Sequence, residues 1–203
     1  MSKITYGLSN LYYAKITEGE AGAITYATPV RLPGAKEMSL SASGELTQIY
    51  ADDVVYVTVD AAAGYDGDVT VLDVPEAFCT DILGMKKDKN GVLVENEDDT
   101  MSPFALLGEF KTETTTRKRF CLYNCSAAKP DFGGTTKEDS VEAQEFAIKI
   151  TASAASDTGA VKATCTNDTA TATQFNAWFT QVYVPENATG TVDKTTGTVD
   201  KTV

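Results

Sequence analysis

The chain has 203 residues, 42% hydrophobic and 23% charged, with 29 acidic against 17 basic side chains and a net charge of −12. That length suits one domain able to bury a sizeable core, and that charge excludes nucleic-acid binding through clustered Lys and Arg on phosphates. Histidine is absent, which removes Ser-His-Asp and Cys-His catalysis, His-ligated metals and histidine pH switching together.

No apolar run approaches the roughly 20 residues that cross a membrane. The opening residues, Met1-Ser2-Lys3-Ile4-Thr5-Tyr6, carry no apolar h-region, so no secretory signal is expected. Charge is unevenly placed: net −8 over residues 1–85, +1 over 86–137 and −5 over 138–203. An acidic body with a near-neutral middle can attract its own copies; a plain solvated surface is the other reading.

Strand signals dominate in chain order. Residues 11–16 are aromatic and β-rich, and 46–60 alternate, with Ile49, Ala51, Val55, Val57 and Val59 on one face. This predicts one long strand bent at Asp52-Asp53. Gly64-Tyr65-Asp66-Gly67 reads as a turn, so 68–73 should return as the second arm of a long 46–73 hairpin. Residues 75–83 read as a helix, with Pro75 at its start, Gly84 at its stop and Phe78, Cys79, Ile82 and Leu83 on one face. Asp88-Lys89-Asn90-Gly91 predicts a turn before a short strand at 92–95.

Further strands are expected at 104–111, 117–125, 142–151 (Phe146, Ile148 and Ile150 inward), 160–166 and 182–184. A second short helix fits 169–179, with Asp168 as its cap and Phe175, Trp178 and Phe179 at helical spacing, read as core. Residues 189–195 read TGTVDKT, and 196–202 repeat them. Two polar heptads cannot make a solenoid. The expected organisation is a β domain over 1–185 and a flexible tail over 186–203.

The chemistry-bearing residues form no catalytic constellation. Phosphate loops, GxSxG and GxGxxG are missing. Cys79, Cys121, Cys125 and Cys165 contain no CxxC pair and lack zinc-knuckle spacing, so buried free thiols are expected and no metal or cofactor. Cys121 and Cys125 should share one strand face about 13 Å apart, too far for a disulfide. Glu95, Glu97, Asp98 and Asp99 make an acidic loop without the spaced ligands of a calcium loop. Arg117-Lys118-Arg119 alternate along a strand, which fits either a solvated strand start or a salt-bridge patch for an acidic neighbour, formed by Arg117 and Arg119.

An ordered series of segments resembles the phi13-type family of phage major tail proteins. It runs through Gly7-Leu8, Tyr12-Tyr13-Ala14-Lys15, Leu32-Pro33-Gly34-Ala35, Gly64-Tyr65-Asp66-Gly67-Asp68, and Asp81-Ile82-Leu83-Gly84. It continues with Asp88-Lys89-Asn90-Gly91-Val92-Leu93-Val94-Glu95, Pro103-Phe104-Ala105-Leu106-Leu107 and Trp178-Phe179, and covers about residues 7–186. The resemblance implies a mainly β, tail-tube-like sandwich or barrel with a flanking helix and a second short helix near the C-terminus. It implies a structural, non-enzymatic subunit that forms six-fold rings stacked into a DNA conduit. Its partners would be its own copies, a tape-measure protein and a tail-terminator protein, with phage DNA passing unbound. Its place would be the virion tail, assembled in the host cytoplasm and away from membranes. Under that reading Asp52, Asp60, Asp66 and Asp68 are expected to face the lumen. Glu95, Glu97, Asp98 and Asp99 are expected in a ring-stacking loop, which 126–140 should join. The alternative is a virion decoration or adhesion-type β-sandwich, although the Cys…Trp…Cys order of an immunoglobulin domain is missing.

Overall fold

The computed structural model describes residues 4–19, 23–44, 46–51, 54–60, 64–113, 115–134 and 143–185. The expected tail over 186–203 lies outside them. In chain order the elements are β1 (Thr5–Glu18), β2 (Ile24–Tyr26), β3 (Val30–Arg31), β4 (Ala35–Ser43), β5 (Leu46–Ala51), β6 (Val54–Asp60) and β7 (Gly64–Val71). There follow α1 (Glu76–Asp81), β8 (Lys86–Lys87), β9 (Leu93–Val94), β10 (Phe104–Thr112), β11 (Arg117–Ala127), β12 (Phe146–Ala152), β13 (Lys162–Thr166) and α2 (Ala172–Ala177). The fold is mainly β with two short helices.

The main sheet is antiparallel and runs β2-β1-β10-β11-β12-β7-β4, with β3 added to β1 and β13 added to β11. β4, at the far end, comes back against β1, so the sheet curls into a sandwich. The pivot is β11. Its Lys118–Leu122 stretch pairs with β13, whereas Cys125–Ala127 pair with β12. One strand thus hands the same edge to two partners, and the sheet forks.

The fork needs a change of side-chain parity, because alternating residues point to opposite faces. Asn124 supplies it with a left-handed backbone (φ 43°) beside a register shift in the β10–β11 ladder. Asn10 in β1 does likewise (φ 51°), where the β1–β10 register also shifts. Asparagine tolerates this conformation better than other side chains with a Cβ. Two cores result. The inner one packs Leu11, Tyr13, Val69, Phe104, Leu122 and Ile148 against α1 and the residues just after it, where Phe78, Ile82 and Leu83 are fully buried. The outer one packs Ala14, Ala105, Leu107, Cys121 and Tyr123 beneath Trp178 and Val182. Each large buried side chain contributes about 1.5–3 kcal/mol.

Several sequence expectations hold. The α1 face is buried as read, and its start at Pro75 is the observed cap position. Phe146, Ile148 and Ile150 point inward. Others are corrected. The 46–73 hairpin does not exist: β5 pairs with β6, from Leu46 opposite Asp60 to Ala51 opposite Val54, so the chain reverses where only a bend was expected. Gly64–Gly67 is not a turn but the start of β7, between β4 and β12. Glycine is used there for close approach, since a Cβ on Gly67 would sit 2.0 Å from the Ser39 carbonyl oxygen. Cys121 and Cys125 lie on opposite faces because of the Asn124 shift. Residues 182–184 form no strand. Helix α2 is capped by Thr171, whose hydroxyl accepts from Gln174 N at 3.4 Å, while Asp168 accepts from the Thr116 hydroxyl.

The forked strand also requires a small residue facing it. A Cβ on Gly108 would meet the Phe120 ring at 2.4 Å. Gly108→Ala is expected to lower stability by about 1–3 kcal/mol through overpacking, read as a lower urea midpoint with an unchanged slope; an unchanged midpoint would show that the ring moves aside freely.

Candidate functional site

The curled sheet leaves one broad face uncovered. On β7 the inward residues are Val69 and Val71, so Asp66, Asp68 and Thr70 turn outward. The register sets Ser39 and Lys149 on either side of Asp68, and Ser41 and Thr151 on either side of Asp66. With Glu37 opposite Thr70 and the Lys36–Glu145 ion pair at one end, this three-strand face is made mostly of short polar side chains, and outside that pair it sets Glu37, Asp66 and Asp68 against Lys149. Asp66, Asp68, Ser39, Ser41, Lys149 and Thr151 are all exposed.

The four aspartates named from sequence therefore do not form one group. Asp66 and Asp68 share this face. Asp60 lies on β6, in a separate two-stranded sheet, and Asp52 lies outside the described residues.

The acidic loop is positioned by turn chemistry. Asn96 N donates to Asp99 Oδ2 at 2.7 Å, closing a tight turn. Glu97 and Asp98 stay exposed. Glu95 pairs with Lys129 at 2.7 Å, which ties this loop to the 128–134 segment and its fully exposed Phe132. The preceding turn is held by Asp88, whose carboxylate accepts from Val92 N and Asn90 N, each at 2.8 Å. Those bonds, the Val92 one foremost, lower its pKa.

Arg117 and Arg119 are used within the subunit. Arg119 Nε donates to Glu109 Oε2 at 2.8 Å, and Arg117 lies 3.5 Å from Oε1 of the same carboxylate. Glu109 is only 3% exposed, and Asn10 Nδ2 also donates to it at 3.4 Å. The Arg119 guanidinium lies 3.8 Å from the centre of the Phe175 ring and 4.6 Å from that of Phe179, and it donates to the Phe175 carbonyl. Phe179 stacks on Tyr12 at 4.8 Å. Nearby, Trp178 Nε1 donates to the Phe120 carbonyl and the Tyr123 hydroxyl to the Tyr183 carbonyl. Arg119 is thus a clasp that holds α2 and the following segment onto the sheet. Sequence reading missed Glu109, the acidic partner. Its place two residues after Leu107, on the strand face that packs into the outer core, was the available signal.

All four cysteines are free thiols. Burial pushes Cys125 up to about 12 and raises Cys121 as well, so neither is a ready thiolate near neutral pH. Among the described residues no group of three or more acidic, Cys or His side chains is placed to hold a metal. Likewise no described helix is long and apolar enough to cross a membrane.

A family model described as phage tail tube protein matches residues 1–191. The chain belongs to the phage tail tube protein family. The matched description is that of tail tube proteins at large, without the phi13-type subdivision. A search of curated proteins gave no match. Membership makes this chain a structural component of the phage tail, and the clasp and the acidic face are features of a tail tube subunit.

Removing Arg119 would leave the buried Glu109 carboxylate only the longer contacts from Arg117 and Asn10. Arg119→Met is expected to cost about 3–5 kcal/mol, and Glu109→Leu with Arg119→Met markedly less than that. Chemical denaturation of both variants checks this; equal losses would mean that the ring contacts of Arg119, not its charge pairing, hold α2.

Proposed function

We propose that the chain is a phi13-type tube subunit whose copies form six-fold rings, that the rings stack, and that the outward face of β4, β7 and β12 lines the DNA channel. The observation that carries the reading is the character of that face. It is exposed, built of Ser, Thr and Asp, and acidic on balance. DNA is dense in negative charge, and a wall of like charge with no clustered cations offers it no counterion-releasing contact. Around Asp66 and Asp68 the side chains other than Lys149 are short, which leaves few protrusions to catch the duplex. Asp66 and Asp68 are the lumen residues in this reading. Tape-measure and tail-terminator proteins would bound the tube, and assembly would take place in the host cytoplasm. No catalytic role is assigned.

The ring-stacking surface in this proposal is the loop carrying Glu95, Glu97, Asp98 and Asp99 together with 128–134. The Glu95–Lys129 pair supports treating them as one surface. Exposed Val92, Val94, Met101 and Phe132 give it apolar area to bury.

Negative-stain microscopy of the purified chain over a concentration series tests the assembly, with hollow six-fold rings or tubes expected and only small particles counting against it. Asp66→Lys with Asp68→Lys should leave tubes of normal length and diameter yet lower DNA release by roughly tenfold or more. Ejection kinetics measure this, and normal release would take the face out of the lumen. Glu97→Lys with Asp98→Lys should leave rings but shorten the tubes; unchanged tube length would refute the stacking role.

A further inference from the structure

Among the described residues β13 pairs with β11 alone, and between β13 and the β4–β7 layer the inner core stays open at one end. The opening is a slot of about 280 Å³. Met38 and Leu40 of β4, Phe110 of β10, and Phe120 and Leu122 of β11 make its apolar walls. These residues belong to the inner core or pack against it, so the slot is that core seen from its uncovered end. Phe110 and Phe120 stack at 5.1 Å and close the slot on one side. A dry apolar cavity of about 150 Å³ takes up benzene, so this slot has room for an apolar body of about six to ten carbons.

The polar part of the lining is cationic. Lys118, Lys162, Tyr65 and Thr164 supply it, and no carboxylate does, although the chain has 29 acidic against 17 basic side chains. Among the described residues neither lysine is ion-paired. Lys162 lies over the Tyr65 ring at 4.4 Å and donates to its hydroxyl at 2.5 Å. That bond sets up a pair of donors. The Tyr65 hydroxyl oxygen accepts from Lys162, which leaves its own proton to donate, and the ammonium keeps its remaining N–H donors. A carboxylate between them accepts from both and meets the ammonium charge; a neutral head group does only the first. Lys118 stands at the other end of the β11–β13 ladder, since it lies opposite Thr166 whereas Lys162 lies opposite Leu122. It adds to the field at the slot without sharing the donor pair.

We propose that the slot binds a medium-chain fatty acid, with its carboxylate on Lys162 and Tyr65 and its chain along Met38, Leu40 and Phe110. The charge of the lining selects the head group, and the length of apolar wall selects the tail. Met38, flexible and polarisable, is suited to following an alkyl chain. The site belongs to the single subunit and stands whether or not the tube reading does. A ligand held there covers the open end of the inner core, and binding to the folded chain alone raises its stability.

Octanoate titrated into the full chain, with isotope-labelled methionine methyl groups, tests this by NMR. Saturable binding at one site is expected, with a Kd of about 1 mM or tighter. The Met38 resonance should move while those of Met85 and Met101 stay. Octanamide, which has the same chain and an uncharged head, should bind about tenfold more weakly. Lys162→Met should weaken octanoate by about tenfold, leave octanamide unchanged and keep the thermal midpoint of the unliganded chain. Lys118→Met should weaken octanoate by less. Equal affinities for octanoate and octanamide, or an octanoate affinity untouched by Lys162→Met, would overturn the proposal, because the head group would then not be read by this donor pair. An unmoved Met38 resonance, or no saturation, would overturn it as well.

Discussion

The fork of the sheet depends on β11, which must satisfy β10, β13 and β12 with only two edges. One edge is given wholly to β10. The other is divided between β13 and β12, and the division is possible only because Asn124 turns the strand over between them. Above that point Phe120 and Leu122 face the inner core and Cys121 and Tyr123 the outer one; below it Cys125 and Ala127 face inward again. The fork separates the two layers of the sandwich, opens the slot beside β13 and frees the outward face of β4, β7 and β12.

The outer core depends on polar contacts as much as on burial. Helix α2 has six residues and no buried side chain, far short of the length at which a helix is stable by itself. It is held from outside by Arg119, by the Trp178 indole and by Tyr123, each bonded to a backbone carbonyl. Among the described residues no buried side-chain nitrogen or oxygen lacks a partner. Glu109 is the most demanding of these groups, and it is met by two guanidinium groups and an amide. An ionised group so placed is tolerated only when its partners are fixed, so the clasp defines one position for α2.

The sequence made elements legible where burial alternates plainly and obscured them where the backbone departs from regularity. Phe146, Ile148 and Ile150 announced β12, and Pro75 with Phe78 and Ile82 announced α1. The expected 46–73 hairpin fails because β5 pairs with β6 although no glycine separates them in sequence, whereas Gly64 and Gly67 lie inside β7. There they allow carbonyl groups of neighbouring strands to come near, a use of glycine that composition cannot separate from a turn. Parity at Cys121 and Cys125 depended on one asparagine with a positive φ, for which a single sequence carries almost no signal. Asp66 and Asp68 could be chosen by charge alone. That they share a face with Ser39, Ser41 and Lys149 follows from a register between strands up to about 80 residues apart in sequence. Glu109 and Arg119 looked like ordinary strand charges until the sheet brought α2 over them.

The longest strand also sets a timetable for synthesis. β1 lies at the start of the chain, yet its main partner is β10, with Thr5 opposite Thr112 and Lys15 opposite Phe104. At ribosomal speeds of about 5–20 residues per second, the nascent chain waits roughly 5–20 s before β10 has been made. Until then Leu11, Tyr13 and Ile16, which end almost wholly buried, have no sheet to enter, and β2 and β3 can offer only short pairings. Such non-local topology folds slowly. Every chain in synthesis therefore carries unpaired apolar strand until β10 emerges, the state in which aggregation competes with folding.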